Sequence, residues 1–458
     1  MTDIKEYLVP GSKGHLIGIG GVSMSPLAEV LTGAGLQITG SDMSEGTNMK
    51  RLRAMGIDIK IGHSADNLIP GTDFIVRTAA VHDENAEIIA AREKHIPVFE
   101  RTQAWGALMS SYKNALCISG THGKTTTTSM STHIMMAAQR DPTVMIGGTL
   151  PLLRAGHRVG KGDTIIMESC EYYNSFLEFS PTIAVILNIE ADHLDFFKDL
   201  EDVKKSFRSF ASLVPNDGYV IANSGDENTM DAIASLEKNL ITFGMDDNAD
   251  VCARNVDMKG IGAEFDVFFK GEFFTHVKLS VPGLHNIMNA LASVASAICL
   301  GIDAVAISSG LAGFGGAARR FEYKGKFNDA DIYDDYAHHP GELKALLDAV
   351  EHIGYNRVIL VFQPHTYTRT KALFEDFVEQ LRRPDIVYLA EIYAAREKNT
   401  VGISSEDLTK RIPNTQFILT YEELAKSLRK VARAGDIILT VGAGDIYKMG
   451  EALVAEEK

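Results

Sequence analysis

An apolar run, Ala115–Ser119, leads directly into Gly120-Thr121-His122-Gly123-Lys124-Thr125-Thr126, and a helical pattern with an apolar face follows over 125–138. No other segment restricts the fold so strongly. Glycines between a strand and a helix let backbone N–H groups close on a phosphate, at the helix end whose dipole favours an anion. A lysine in that loop reaches the β- and γ-phosphates, and the hydroxyl after it suits a divalent cation. Lys124 and Thr125 stand in those places. The loop is shorter than the general phosphate-loop pattern, because Ile118 stands where its first glycine belongs. The bland alternative is a strand-to-helix turn with a chance lysine. It does not explain why strand, glycines, lysine, hydroxyls and helix fall in order.

Strand and helix patterns alternate on both sides of this loop. Before it, apolar runs at 15–19, 36–39, 57–59, 74–76 and 97–99 read as strands, with helical patterns at 25–31 and 85–94 between them. After it, 164–167, 182–187 and 219–222 read as buried parallel strands. Residues 251–277 alternate more and predict an antiparallel excursion, followed by a helix over 286–300. A last unit has strands at 331–334, 358–362, 386–390, 416–419 and 437–441, with helices at 342–352 and 371–381. Alternation of this kind predicts parallel sheets covered by helices on both faces. Three α/β domains are expected, at 1–108, 109–318 and 319–458.

Ligands of open α/β sheets gather beyond the carboxyl ends of the strands. Glu168 ends one predicted strand and Asp192-His193 follows another. Glu168 is a candidate to hold Mg²⁺ through hard oxygen contacts, and His193 to hold an ion. Taken singly, each serves equally well as a surface carboxylate and a helix-start residue. Gly18-Ile19-Gly20-Gly21-Val22-Ser23, with Asp42 after the next strand, is an incomplete dinucleotide fingerprint. It points to a diphosphate on the first helix, or to a tight turn without a ligand. Asp334-Asp335-Tyr336-Ala337-His338-His339 and Gln363-Pro364-His365-Thr366-Tyr367-Thr368-Arg369 follow strands of the last unit and suit a small zwitterion, whose carboxylate Arg369 can grip. Gly442-Ala443-Gly444-Asp445, after the last strand, suits a phosphate contact or a plain turn, and the turn is the favoured reading.

The net charge of −15 makes a nucleic acid or an acidic membrane an unsuitable general partner. No apolar run approaches the roughly 20 residues that cross a bilayer. The opening segment lacks the signal-peptide pattern. The four cysteines form no Cys-x-x-Cys pair, so neither zinc nor a disulfide framework is indicated. A cytoplasmic protein is expected.

Taken together, His15-Leu16-Ile17-Gly18-Ile19-Gly20-Gly21, the 120–126 loop, Asn188-Ile189-Glu190-Ala191-Asp192-His193, Pro282-Gly283-Leu284-His285-Asn286, Arg319-Arg320-Phe321-Glu322 and the two polar segments of the last unit resemble the Mur ligases of peptidoglycan synthesis over essentially the whole chain. The His-His-Pro and Gln-Pro-His segments resemble the alanine-adding branch. The resemblance implies a Rossmann-like UDP-sugar domain, a central phosphate-loop ATPase-like domain and a Rossmann-like amino-acid domain. It implies ATP bound by Gly120, Thr121, His122, Gly123, Lys124, Thr125, Thr126, His285, Asn286, Arg320 and Asp335. Mg²⁺ would be held by Thr125, Glu168 and His193, with Lys124, Glu168 and His193 as the catalytic set. The UDP-sugar would meet Gly20, Gly21, Ser41, Asp42, Asn85 and Arg101, and the amino acid Tyr336, His338, His365 and Arg369. Departures include Ser23 and Pro26 for glycines, Arg77-Thr78-Ala79-Ala80, and Glu168-Ser169-Cys170-Glu171-Tyr172 in place of a more acidic run.

The implied reaction joins UDP-N-acetylmuramate to L-alanine through an acyl phosphate, with closure of the last domain keeping water away. The expected partners are these small molecules, and the expected state is a monomer or homodimer. The rivals are a peptide-adding Mur ligase, a nicotinamide oxidoreductase and a non-catalytic nucleotide-binding protein.

Overall fold

The first sheet of the computed structural model has five parallel strands, in the order Asp58–Ile61, Gln37–Asp42, Lys13–Ile17, Phe74–Arg77, Val98–Glu100. The structure describes residues 3–258 and 260–456. The chain steps outward from Lys13–Ile17 first to one side and then to the other. That reversal leaves a crevice beyond the strand's carboxyl end, where Gly18–Gly21 turns into helix Met24–Gly33. Leu27, Ala28, Val30 and Leu31 bury that helix's apolar side. Helix Ala86–Glu93 starts where the Asn85 side chain accepts from Glu87 N–H at 2.9 Å.

Five further strands with parallel pairing surround the phosphate loop, in the order Tyr219–Asn223, Ile183–Ile186, Asn114–Ser119, Thr164–Glu168, Thr143–Leu150. Ala155–Arg158 adds an antiparallel edge. Leu116, Cys117 and Ile118 are wholly buried, as a central strand requires. The first sheet and these six strands lie in the first of two compact units, formed by 1–190, 199–242 and 295–303.

The second unit comprises 191–198, 243–294 and 304–458. It contains the expected antiparallel excursion, built from Val251–Asp257, Ala263–Phe269 and Glu272–Leu279. It also holds a sheet ordered Glu322–Phe327, Ala330–Asp335, Asp436–Val441, Arg357–Phe362, Ile386–Leu389, Thr415–Phe417. This sheet is parallel except at the Glu322–Phe327 edge. One face packs Leu343, Leu347, Phe377 and Leu381, and the other Leu424, Leu428 and Leu453.

The helix expected over 371–381 is in fact two, Tyr367–Ala372 and Phe374–Leu381, broken at Leu373 (φ −107°, ψ 27°). The first is tied at its start by Glu397, which accepts from Tyr367 N–H at 2.7 Å and Thr368 N–H at 3.0 Å. The second follows the core through Phe377, Val378 and Leu381. The break lets each satisfy its own anchors. The strands Thr143–Leu150, Ala155–Arg158, Asn239–Gly244 and Glu322–Phe327 had no clear signature in the sequence.

Candidate active site

The loop after Asn114–Ser119 has the backbone that its glycines permit. Gly120 has φ +141°, and a Cβ there would lie 2.9 Å from Leu187 Cβ; Gly123 has φ +87° at the N-cap of helix Lys124–Ala137. The segment after Ile183–Ile186 clasps the loop. Asn188 Oδ1 accepts from His122 N–H at 2.8 Å, Asn188 Nδ2 donates to His122 O at 3.1 Å, and Thr121 Oγ1 accepts from Glu190 N–H at 2.9 Å. The loop is therefore pre-shaped before any anion arrives.

Lys124 Nζ folds over this loop, donating to Gly120 O and to Thr121 O at 3.1 Å, and reaches Glu171 Oε2 at 3.1 Å. Burial pulls the ammonium down, but the Glu171 carboxylate outweighs it and holds Lys124 above its ordinary range. The lysine stays charged.

Thr125 Oγ1 donates to Glu168 Oε1 at 3.0 Å, while Glu168 Oε2 accepts from Gly147 N–H at 2.6 Å. A Cβ at 147 would lie 2.5 Å from Glu168 Oε1, so glycine is what leaves the carboxylate in this seat. A hydroxyl and a carboxylate oxygen side by side at a helix N-terminus are hard donors of the kind Mg²⁺ takes. The residues fit that ion.

In the first sheet's crevice, Asp42 Oδ2 accepts from Gly20 N–H at 2.9 Å, and Asn48 Nδ2 donates to Gly20 O at 3.0 Å. Gly21 N–H turns back to Gly18 O. Ser41 Oγ donates to buried Glu87 at 2.7 Å. Arg101 opens the helix Arg101–Met109.

In the second unit, Arg369 donates to Asp192 from Nη2 at 3.1 Å and Nε at 3.3 Å, and its Nη1 lies 3.3 Å from His365 Nδ1. Burial raises Asp192, yet Arg369 wins and holds that carboxyl well below its usual range. The rings of Tyr336, His338, His365 and Tyr393 form a continuous series with centroids 5.5 to 5.6 Å apart. Burial lowers both His338 and His365 to about 4. Arg319 and Arg320 lie over the Tyr336 ring at 4.9 and 5.3 Å. Asp335 accepts from Phe321 N–H and Ala337 N–H, and burial pushes it up to about 6 against the pull of Arg320.

Residues 13–113 match the Mur ligase family catalytic domain, 118–297 the Mur ligase middle domain and 319–444 the Mur ligase glutamate ligase domain. The UDP-N-acetylmuramate–L-alanine ligase of Caldanaerobacter subterraneus is 46% identical, over 97% of both chains. The chain belongs to the Mur ligase family. The crystal structure of UDP-N-acetylmuramate-alanine ligase from Thermotoga maritima is 29% identical, with a TM-score of 0.77 over 97% of this chain and 99% of that one. A murein peptide ligase from Psychrobacter arcticus shares the fold, at 23% identity and a TM-score of 0.69 over 97% and 98% of the two chains.

This Mur ligase brings together Lys124, Thr125 and Glu168 in its first unit. His193 belongs to the second, at φ +54°, with its N–H on Asp192 Oδ1 at 2.8 Å. His285 is exposed at the start of helix Leu284–Cys299, its ring against Gly283. Asn286 is buried and donates to Pro282 O at 2.6 Å. The turn at 442–445 is packed by Arg319, which donates to Gly444 O at 3.1 Å, and by Gln363, whose Oε1 a Cβ on Gly444 would strike at 2.2 Å. Three contributors had no role assigned from the sequence. Glu171 stands three residues beyond Glu168, Gly147 interrupts an apolar strand, and Asn188 precedes the Asp192-His193 pair. A glycine inside a strand is itself a signal of close approach.

Proposed function

We propose that this chain is an ATP- and Mg²⁺-dependent ligase that forms the amide bond between the lactyl carboxylate of UDP-N-acetylmuramate and L-alanine, in the cytoplasm. The observation that carries the reading is the triad of Lys124, Thr125 and Glu168 on a pre-shaped phosphate loop, in a chain 46% identical to an enzyme of that name.

A carboxylate resists amines at neutral pH, so ATP first phosphorylates it. Two anions must meet in that step. The 120–126 amides and the Lys124 ammonium offset the repulsion and stabilise charge as the γ-phosphoryl group moves. Thr125 and Glu168, and by the family resemblance His193, would hold Mg²⁺, which when bound would supply further neutralisation of the phosphate oxygens. The alanine amine then attacks the acyl phosphate and phosphate leaves. Arg369, with Tyr336, His338 and His365, orients the amino acid through its carboxylate. His285, Asn286, Arg320 and Asp335 serve the nucleotide. Gly20, Gly21, Ser41, Asp42, Asn85 and Arg101 serve the UDP-sugar. The chain is read as a UDP-sugar domain at 1–108, an ATP domain at 109–318 and an amino-acid domain at 319–458, with Arg320 and Asp335 lying in the last.

Phosphate release with UDP-N-acetylmuramate, ATP and Mg²⁺ tests the reading, comparing L-alanine with a tripeptide. Turnover with the alanine alone is expected. Turnover with the tripeptide alone would replace it by the peptide-adding alternative.

A further inference from the structure

Glu29 lies on the helix that leaves the first glycine turn, and only 3% of its side chain is exposed. A carboxylate so buried needs partners. Two reach it. Arg51, from helix Thr47–Ala54, comes within 2.7 Å of Oε2, but is itself 55% exposed. His157 places Nε2 3.1 Å from Oε1 and is 10% exposed. A carboxylate only accepts, so Nε2 carries the hydrogen.

His157 lies in strand Ala155–Arg158, whose register sets it opposite Met145 of Thr143–Leu150. Met145 in turn sits beside Met167, the neighbour of Glu168. Two residues beyond Met145 is Gly147, whose N–H holds Glu168 Oε2. The two strands approach closely here, for a Cβ on Gly156 would lie 2.9 Å from Gly148 O. A Cβ on Gly148 would touch the Thr125 methyl at 3.4 Å. The hairpin thus runs as one packed piece from Glu29 to the carboxylate that faces the phosphate loop.

We infer that His157 is a positioning residue: by bonding Glu29 it fixes the 143–158 hairpin against the helix leaving the glycine turn, and so holds Gly147 and Glu168 in register with Thr125. It touches no reacting group. The inference rests on the ligase reading above, and the contact links the element that carries the first glycine turn to the one that orients the carboxylate beside Thr125.

The test uses the full chain with three variants, His157→Ala, His157→Gln and Glu29→Leu. Glutamine at 157 can still donate to Glu29, whereas alanine cannot. For His157→Ala, the KM for ATP and the Kd of a non-hydrolysable ATP analogue, both with Mg²⁺, are expected to rise about fivefold, while the KM for L-alanine stays within about twofold. His157→Gln should recover most of the loss, and Glu29→Leu, which removes the acceptor while keeping the site filled, should reproduce it. A purely structural contact would lower the melting temperature and reduce kcat with the folded fraction, leaving the nucleotide constants unmoved. That result overturns the inference. If His157→Ala fails to fold, the same division of constants in Glu29→Leu decides. A wild-type chain that releases no phosphate with L-alanine would instead sink the ligase reading and leave the analogue-binding comparison to judge His157.

Discussion

Lys124 and Glu171 form an ion pair whose side chains are only 15% and 2% exposed, with Nζ 3.1 Å from Oε2. The lysine is thereby kept charged and folded over the carbonyls of Gly120 and Thr121. When a triphosphate enters the loop, its oxygens compete with these acceptors for the same ammonium. The pair therefore serves two ends, to hold charge in a buried place and to keep it next to where phosphate charge develops.

Lys124→Ala separates those ends. Turnover is expected to fall between about a hundredfold and a thousandfold, the cost of losing one pre-set donor to a developing anion. Glu171 would lose its cationic partner in a buried place, lowering stability by about 3 kcal/mol. Adding Glu171→Gln should restore the chemical denaturation midpoint and leave turnover lost. Recovery of turnover in the double variant would contradict the role given to Lys124.

Gly147→Ala tests the seat of Glu168. The added methyl carbon would stand 2.5 Å from Oε1, so the carboxylate must swing away from Thr125. The Mg²⁺ concentration needed for half-maximal rate should rise about tenfold, as when a metal ligand loses its orienting partner. The KM for L-alanine should not change. An unaltered Mg²⁺ dependence would show that Glu168 does not serve the ion.

Arg369→Met removes the guanidinium that pairs with Asp192, a carboxylate 12% exposed. Leaving that carboxylate without its guanidinium should cost about 3 kcal/mol in urea unfolding. The KM for L-alanine should rise by a larger factor than the KM for ATP. Equal rises in both would assign Arg369 to scaffolding alone.

Acid sensitivity follows from His338 and His365, both lowered from 6.5 to about 4 by burial. The folded chain favours their neutral forms while the unfolded chain takes up protons first. Their contribution to stability is complete above pH 6.5 and is lost as pH falls through about 4. Asp335, raised to about 6, acts in the opposite sense: its contribution is present below 3.8 and is lost as pH rises through 6. His365→Gln should therefore lose less stability than wild type between about pH 7 and pH 4.5, measured by urea midpoints at each pH. An equal loss would place the acid sensitivity elsewhere.

The sequence by itself determined the loop 120–126, the alternation of strands and helices and the buried strand Ala115–Ser119, because these depend on neighbours along the chain: glycine freedom, apolar runs and the strand-to-helix change of period. It also marked Glu168, Asp192 and Arg369 as polar groups at strand ends. Only the tertiary structure decided what each one meets. Gly147 seats Glu168 and Asn188 clasps His122 from segments distant in sequence. Glu171 takes Lys124, Asp192 takes Arg369, and Ser41 gives its hydroxyl to Glu87. The reason is physical: local periodicity sets an element and its buried face, but a buried charge is settled by whichever partner the sheet order and register bring within about 3 Å of it.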